Sequence, residues 1–172
     1  MSIAAICFIA CHGAPADHFA TFAENLFQRG HSIEIYATGP ALKKFQDRHI
    51  DIVQSFSLED ISEEHAAMQL AQKCSGAKAI ITDVGHPFAI TLQKTLASHS
   101  PTTPRFAYYD NPESFVPGGY SSVAAKVMMA AQNVLFANAN LIQTPLYQNP
   151  AEEIPLPTEQ RIALGYYPAS QA

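Results

Sequence analysis

Between residues 3 and 37 two short apolar runs flank one amphipathic stretch, and this alternation limits the folds open to the chain. The first run, IAAICFIA at residues 3–10, has strand length and no polar alternation, the pattern of a strand buried on both faces. A break follows at Cys11-His12-Gly13-Ala14-Pro15. Phe19, Phe22, Ala23, Leu26 and Phe27 then recur at spacings of three and four, while Asp17, Glu24, Gln28 and Arg29 fall elsewhere. That spacing predicts an amphipathic helix, with Gly30 as its stop. Residues 32–37 (SIEIYA) read as a second strand. Strands joined through one helix pair in parallel with a right-handed crossover, so the chain opens on a βαβ unit.

The same reading extends downstream. Thr38-Gly39-Pro40 turns into a short helix over 41–48, and 50–53 make a brief third strand. Ser62, followed by Glu63 and Glu64, starts a helix that passes Met68, Leu70 and Ala71 and stops near Gly76. Residues 77–82 (AKAIIT) form an apolar run suited to the centre of a parallel sheet. Pro87 opens a helix carrying Phe88, Ile90, Leu92 and Leu96, and a strand follows at 105–109. A helix over 121–132 and a last short strand at 134–136 complete the pattern. Pro145, Pro150, Pro155 and Pro157 then mark an extended stretch. The expected architecture is α/β: a Rossmann-like three-layer α/β/α sandwich with a mostly parallel sheet over residues 1–142, and a Pro-rich connector over 143–172.

Composition excludes several functions. The 172 residues fit one domain, and no apolar run approaches the roughly 20 residues needed to span a bilayer. The apolar start lacks a basic segment and a cleavage site, so a cytoplasmic protein is expected. A net charge of -5 and ten scattered Lys and Arg offer no basic stripe for nucleic acid. Cys7, Cys11 and Cys74 have neither the number nor the spacing of a disulfide framework or zinc site, and read as reduced thiols.

Ligands of doubly wound sheets bind outside the carboxyl ends of the strands. Three polar clusters fall there: Cys11-His12-Gly13, Asp83-Val84-Gly85-His86-Pro87, and Asp110-Asn111-Pro112-Glu113. His12 precedes a helix N-terminus, where a second positive charge is disfavoured, so a neutral imidazole able to accept a proton is expected. The alternative for His12 is a hydrogen bond to the loop backbone. Asp83 is placed either to hold the His12 ring through Nδ1 or to cap a helix. One glycine in ACHGAP falls short of the three of a dinucleotide fingerprint, and no phosphate-binding GxxxxGK[ST] is present. His12, Asp83, His86 and Asp110 are the candidate set for a metal, without any helical ligand spacing to support it.

The stretch CHGAPADHFATFAENLFQRGHSIEIYATGP, above all RGHSIEIYATGP at 29–40, resembles the start of glycosyltransferases of the GT-B fold, in particular the UDP-glycosyltransferase superfamily. Residues 77–110 resemble their later strand–helix–strand segment more loosely. The resemblance implies that His12 deprotonates an acceptor hydroxyl and that Asp83 orients it. Gly13, Gly85, His86, Tyr109, Asp110, Asn111 and Glu113 would contact the small-molecule acceptor. It also implies a nucleotide-sugar donor held in a second domain, in cis or in trans, with no cofactor bound by this one. A half-domain would leave apolar surface for homodimerisation. Two alternatives stand beside it: a non-catalytic small-ligand-binding or regulatory domain, and a small metal-dependent hydrolase.

Overall fold

The structure, a computed structural model, describes residues 3–110, 122–131, 133–138, 147–148 and 152–163. Its elements alternate as β1 (Ala5–Ala10), α1 (Gly13–Gln28), β2 (Ser32–Ala37), α2 (Gly39–Asp47), β3 (Val53–Ser55), α3 (Glu63–Lys73), β4 (Ala79–Thr82), α4 (Phe88–His99), β5 (Arg105–Tyr109), α5 (Ser122–Ala131) and β6 (Asn133–Phe136). An antiparallel pair, β7 (Tyr147–Gln148) with β8 (Glu152–Glu153), and a final strand, β9 (Arg161–Ala163), follow. Seven strands form one sheet in the order β3-β2-β1-β4-β5-β6-β9, and every pairing is parallel. The fold is a Rossmann-like α/β/α sandwich, with β4 at the centre of the sheet as the AKAIIT run requires.

Alternate residues of the buried strands supply two cores. Phe8, Ile35 and Tyr108 pack with Phe19, Ala20 and Ala23 of α1 and Phe45 of α2. Cys7, Ile9 and Ile80 face Leu70 of α3 and Leu92 and Leu96 of α4, and α5 continues that layer over β5 and β6. The helix ends follow local chemistry. Ser62 Oγ accepts the His65 N–H at 3.1 Å, satisfying an otherwise free donor in the first turn of α3. Gly30, at φ 91°, closes α1 while its N–H reaches the Phe27 carbonyl and the His31 N–H reaches that of Leu26.

Three expectations are corrected. Phe27 is 70% exposed, because the buried stripe of α1 runs through Pro15, Ala16, His18 and Phe19 and rotates past it by the last turn. The third strand begins at Val53, not at residue 50. His49 adopts a left-handed φ of 58° and the Ile50 N–H bonds to the Phe45 carbonyl, so Ile50 belongs to the turn that closes α2 and does not start β3. The Pro-rich segment is extended, but within 152–163 it is integral to the domain. Ile154 and Leu156 are buried against the α5 side of the core, and β9 extends the sheet beyond β6. Among the described residues no helix is long and apolar enough to cross a membrane.

Arg105 shows how α4 and α5 are held. Its side chain is buried, and Nη1 donates to the Gln93 carbonyl at 3.2 Å, to Gln93 Oε1 at 3.4 Å and to the Ala130 carbonyl at 3.0 Å. Ala130 lies in the last turn of α5, where carbonyls lack helical partners. Arg105→Met should therefore lower the unfolding free energy by about 2–3 kcal/mol, read from the urea midpoint at unchanged m-value.

Candidate functional site

The order in which successive strands are added reverses between β1 and β4, which opens a crevice at their carboxyl ends. Asp83, the first residue after β4, closes its floor. One carboxylate oxygen, Oδ2, accepts the main-chain N–H of Cys11 at 2.7 Å and of His12 at 3.0 Å. Burial is the largest influence on this carboxyl and raises it to about 6, against the lowering effect of the two N–H donors and of His12. Asp83 thus acts as an internal anion at the N-terminal end of α1. A ligand phosphate at that helix terminus would meet this charge, a physical counterpart to the missing glycine fingerprint.

His12 is the N-cap residue of α1, extended at φ -120° and ψ 153°, and makes no side-chain cap. Its ring lies against Gly85: a Cβ at that position would stand 2.6 Å from His12 Cδ2 and 2.9 Å from Nε2. The Nε2 atom is buried without a hydrogen-bond partner among the described residues. The hydrogen bonds to Asp83 come from the main-chain N–H groups of Cys11 and His12, and none of them comes from the His12 ring. A carboxylate below two convergent N–H groups is already engaged, so Asp83 positions the His12 backbone.

A cavity of about 300 Å³ opens beside the ring, lined by His12, Pro15, Gly85, Tyr109, Asp110 and Ala124 among others. Of the expected contact residues, Gly85, Tyr109 and Asp110 meet there. The Asp110 carboxyl is raised by burial, with its own backbone N–H and the charges of His18 and His12 acting in the opposite direction. Tyr109 is buried and packs edge-on against Phe136 at 5.8 Å between centroids.

Gly13 and His86 stand apart from the cavity lining. A Cβ on Gly13 would point toward Lys44 Cε and the Pro40 carbonyl, 3.8 and 3.9 Å away. The His86 ring lies 5.9 Å from that of His12, and its Nδ1 accepts the Phe88 N–H at 3.0 Å at the start of α4. That bond leaves the neutral ring proton on Nε2. Burial and the His12 charge hold His86 below its ordinary value, against the pull of Glu63. Asn111 and Glu113 lie outside the described residues.

Among the wall and support residues that escaped sequence reasoning are Pro15, Ala124 and His18. His18 is 3% exposed, its Nδ1 hydrogen-bonded to the Tyr108 hydroxyl. Its place on the buried stripe of α1, three residues after Pro15 and four before Phe22, was the available signal. Burial lowers its basicity, while Asp110 and then Asp17 raise it. The metal set fares differently. Asp83 Oδ2 and His86 Nδ1 are committed to main-chain donors, and among the described residues no three His, Cys, Asp or Glu side chains are grouped to hold an ion. Comparison with protein-family models and with curated protein sequences finds no match.

Proposed function

We propose that this domain is the acceptor-binding half of a sugar-nucleotide-dependent glycosyltransferase, with His12 as the base that takes the proton of an acceptor hydroxyl. The observation that carries this reading is the Nε2 of His12, buried and without a hydrogen-bond partner among the described residues, in a side chain that lines a cavity together with Asp110. A buried ring nitrogen without a partner costs free energy that a ligand hydroxyl would recover. Among the described residues no Lys or Arg lines the cavity, and the carboxyl groups of Asp83 and Asp110 lie close by. Such a field disfavours phosphates and carboxylates. It suits a neutral hydroxyl compound whose ring rests on Pro15 and Ala124. Transfer of the hydroxyl proton to Nε2 would free the oxygen to attack the anomeric carbon, with the nucleotide leaving on the opposite face and inversion at that carbon. The nucleotide sugar would be held by a second domain.

A second reading, binding without catalysis, is favoured by one observation: no hydrogen bond among the described residues orients the His12 ring. Nuclear magnetic resonance of ¹⁵N-labelled protein tests the shared part. Neutral hydroxyl compounds should move the His12 ring signals, and His12→Ala should weaken their binding about tenfold, the worth of one buried hydrogen bond. Preference for the phosphorylated counterparts would overturn the acceptor reading. In a mixture with nucleotide sugar, acceptor and a donor-binding domain supplied in cis or in trans, general-base catalysis predicts that His12→Ala slows transfer by about 10²–10⁴. Retained acceptor binding with no transfer in that complete mixture points to the second reading.

A further inference from the structure

At the opposite end of the sheet a second cavity, of about 350 Å³, lies between the start of β1 and the end of α3. Cys7 of β1, Glu34 of β2 and Cys74, the C-cap residue of α3, line it. The Cys7 and Cys74 side chains belong to one buried cluster and line the same cavity, and Cys74 is the largest influence on the Cys7 thiol. Cys7 Sγ also stands 3.5 Å from Glu34 Oε2, which accepts the Tyr36 hydroxyl at 2.9 Å. Both thiols are unoxidised and 1% exposed, so the cavity is their route to small reagents. Cys11 sits four residues along β1, about 13 Å away at strand rise, and is out of reach of this pair.

We propose that Cys7 and Cys74 are a redox-active pair that closes to a disulfide when a low-molecular-weight disulfide enters this cavity. One protein thiol, as thiolate, attacks the reagent disulfide to give a mixed disulfide and the first small thiol. The second protein thiol then displaces the other half as a second small thiol. The protein loses two electrons and two protons, and both small thiols carry them away. The new bond ties the end of α3 to β1 and closes the chain from residue 7 to residue 74. The neighbouring Cys74 thiol, burial and the Glu34 carboxylate push the Cys7 thiol well above its ordinary range. Closure is therefore slow at neutral pH and faster in mild alkali, and the expected reduced state of these thiols becomes one half of a couple.

The test is incubation of the whole folded chain with glutathione disulfide, followed by acid quenching, alkylation and peptide mapping by mass spectrometry. A Cys7–Cys74 linked peptide should appear, with Cys11 alkylated only after unfolding, and dithiothreitol should reverse the link. Glu34→Gln should speed closure several-fold by removing the nearby negative charge. The oxidised protein should melt higher by the order of 10 °C, as a long closed loop implies. Cys74→Ser should stop at a glutathione adduct or at the free thiol. A link to Cys11, a persistent adduct on the unsubstituted pair, a lower melting point on closure, or unchanged thiols after prolonged mildly alkaline incubation would each overturn the proposal.

Discussion

Gly85→Ala should remove ligand binding at the His12 cavity while leaving the domain folded. The added methyl carbon would stand 2.6 Å from His12 Cδ2 and 2.9 Å from Nε2, closer than packed atoms tolerate, so the ring must swing away. The obstacle is the end of a side chain and not backbone, which keeps the cost in stability to about 1–3 kcal/mol. The functional cost is larger, because Nε2 leaves the cavity wall. If His12 is the base, transfer should fall by about 10²–10⁴, as for deletion of the imidazole. Gly13→Ala is the matched control. Its methyl would meet only ordinary contacts at 3.8 and 3.9 Å, and affinity and melting temperature should stay close to those of the unsubstituted protein. A Gly85→Ala protein with undisturbed His12 ring signals would show that the imidazole is not held against this glycine.

Asp83 should give the largest stability effect at the site, and its sign depends on the replacement. Asp83→Ala leaves the Cys11 and His12 N–H groups without their acceptor at a buried position, an expected loss of about 2–5 kcal/mol in urea unfolding. Asp83→Asn keeps an oxygen for both donors and removes the titration. Burial raises this carboxyl from 3.8 to about 6 in the folded protein, so the folded state holds the proton more tightly than the unfolded one. Its favourable contribution is complete below about pH 4, is lost as pH rises to about 6, and changes no further above that. The decline should total about 3 kcal/mol. His18 and His86, both shifted down, titrate in the Asn protein as well, so their contributions cancel in the difference between the two proteins. Unfolding free energies at pH 4, 5, 6 and 7 should therefore show a difference that grows across this window in favour of Asp83→Asn. A flat difference would mean that the two N–H donors offset burial and leave the folded Asp83 carboxyl at its ordinary value.

Much of the architecture is legible in the residues because its causes are local. The continuous apolar runs at β1 and β4 mark strands with no wet face, Gly30 marks the left-handed end of α1, and Ser62 marks the start of α3. The misread places have causes outside the window in which a pattern is counted. His49 takes a conformation usual for glycine, so the end of α2 carries no sequence signal. Four prolines made the final segment read as a connector, yet Ile154 and Leu156 find a ready apolar surface on the α5 side of the sheet.

The candidate site divides along the same line. The sequence alone determined that polar residues collect at the strand ends and that His12 stands at the turn from β1 into α1, because both follow from chain order in a parallel sheet. Only the tertiary structure decided what those residues touch. Asp83 lies far along the chain from His12, and pairing of β1 with β4 brings its carboxylate beneath the two loop N–H groups instead of beside the ring. Gly85 is needed for the space its hydrogen leaves to His12, and His86 is turned to the N-terminus of α4. Spacing along a chain sets which strand end a residue occupies; the direction of its side chain, and the donor that reaches it first, is set by the neighbours that strand pairing supplies.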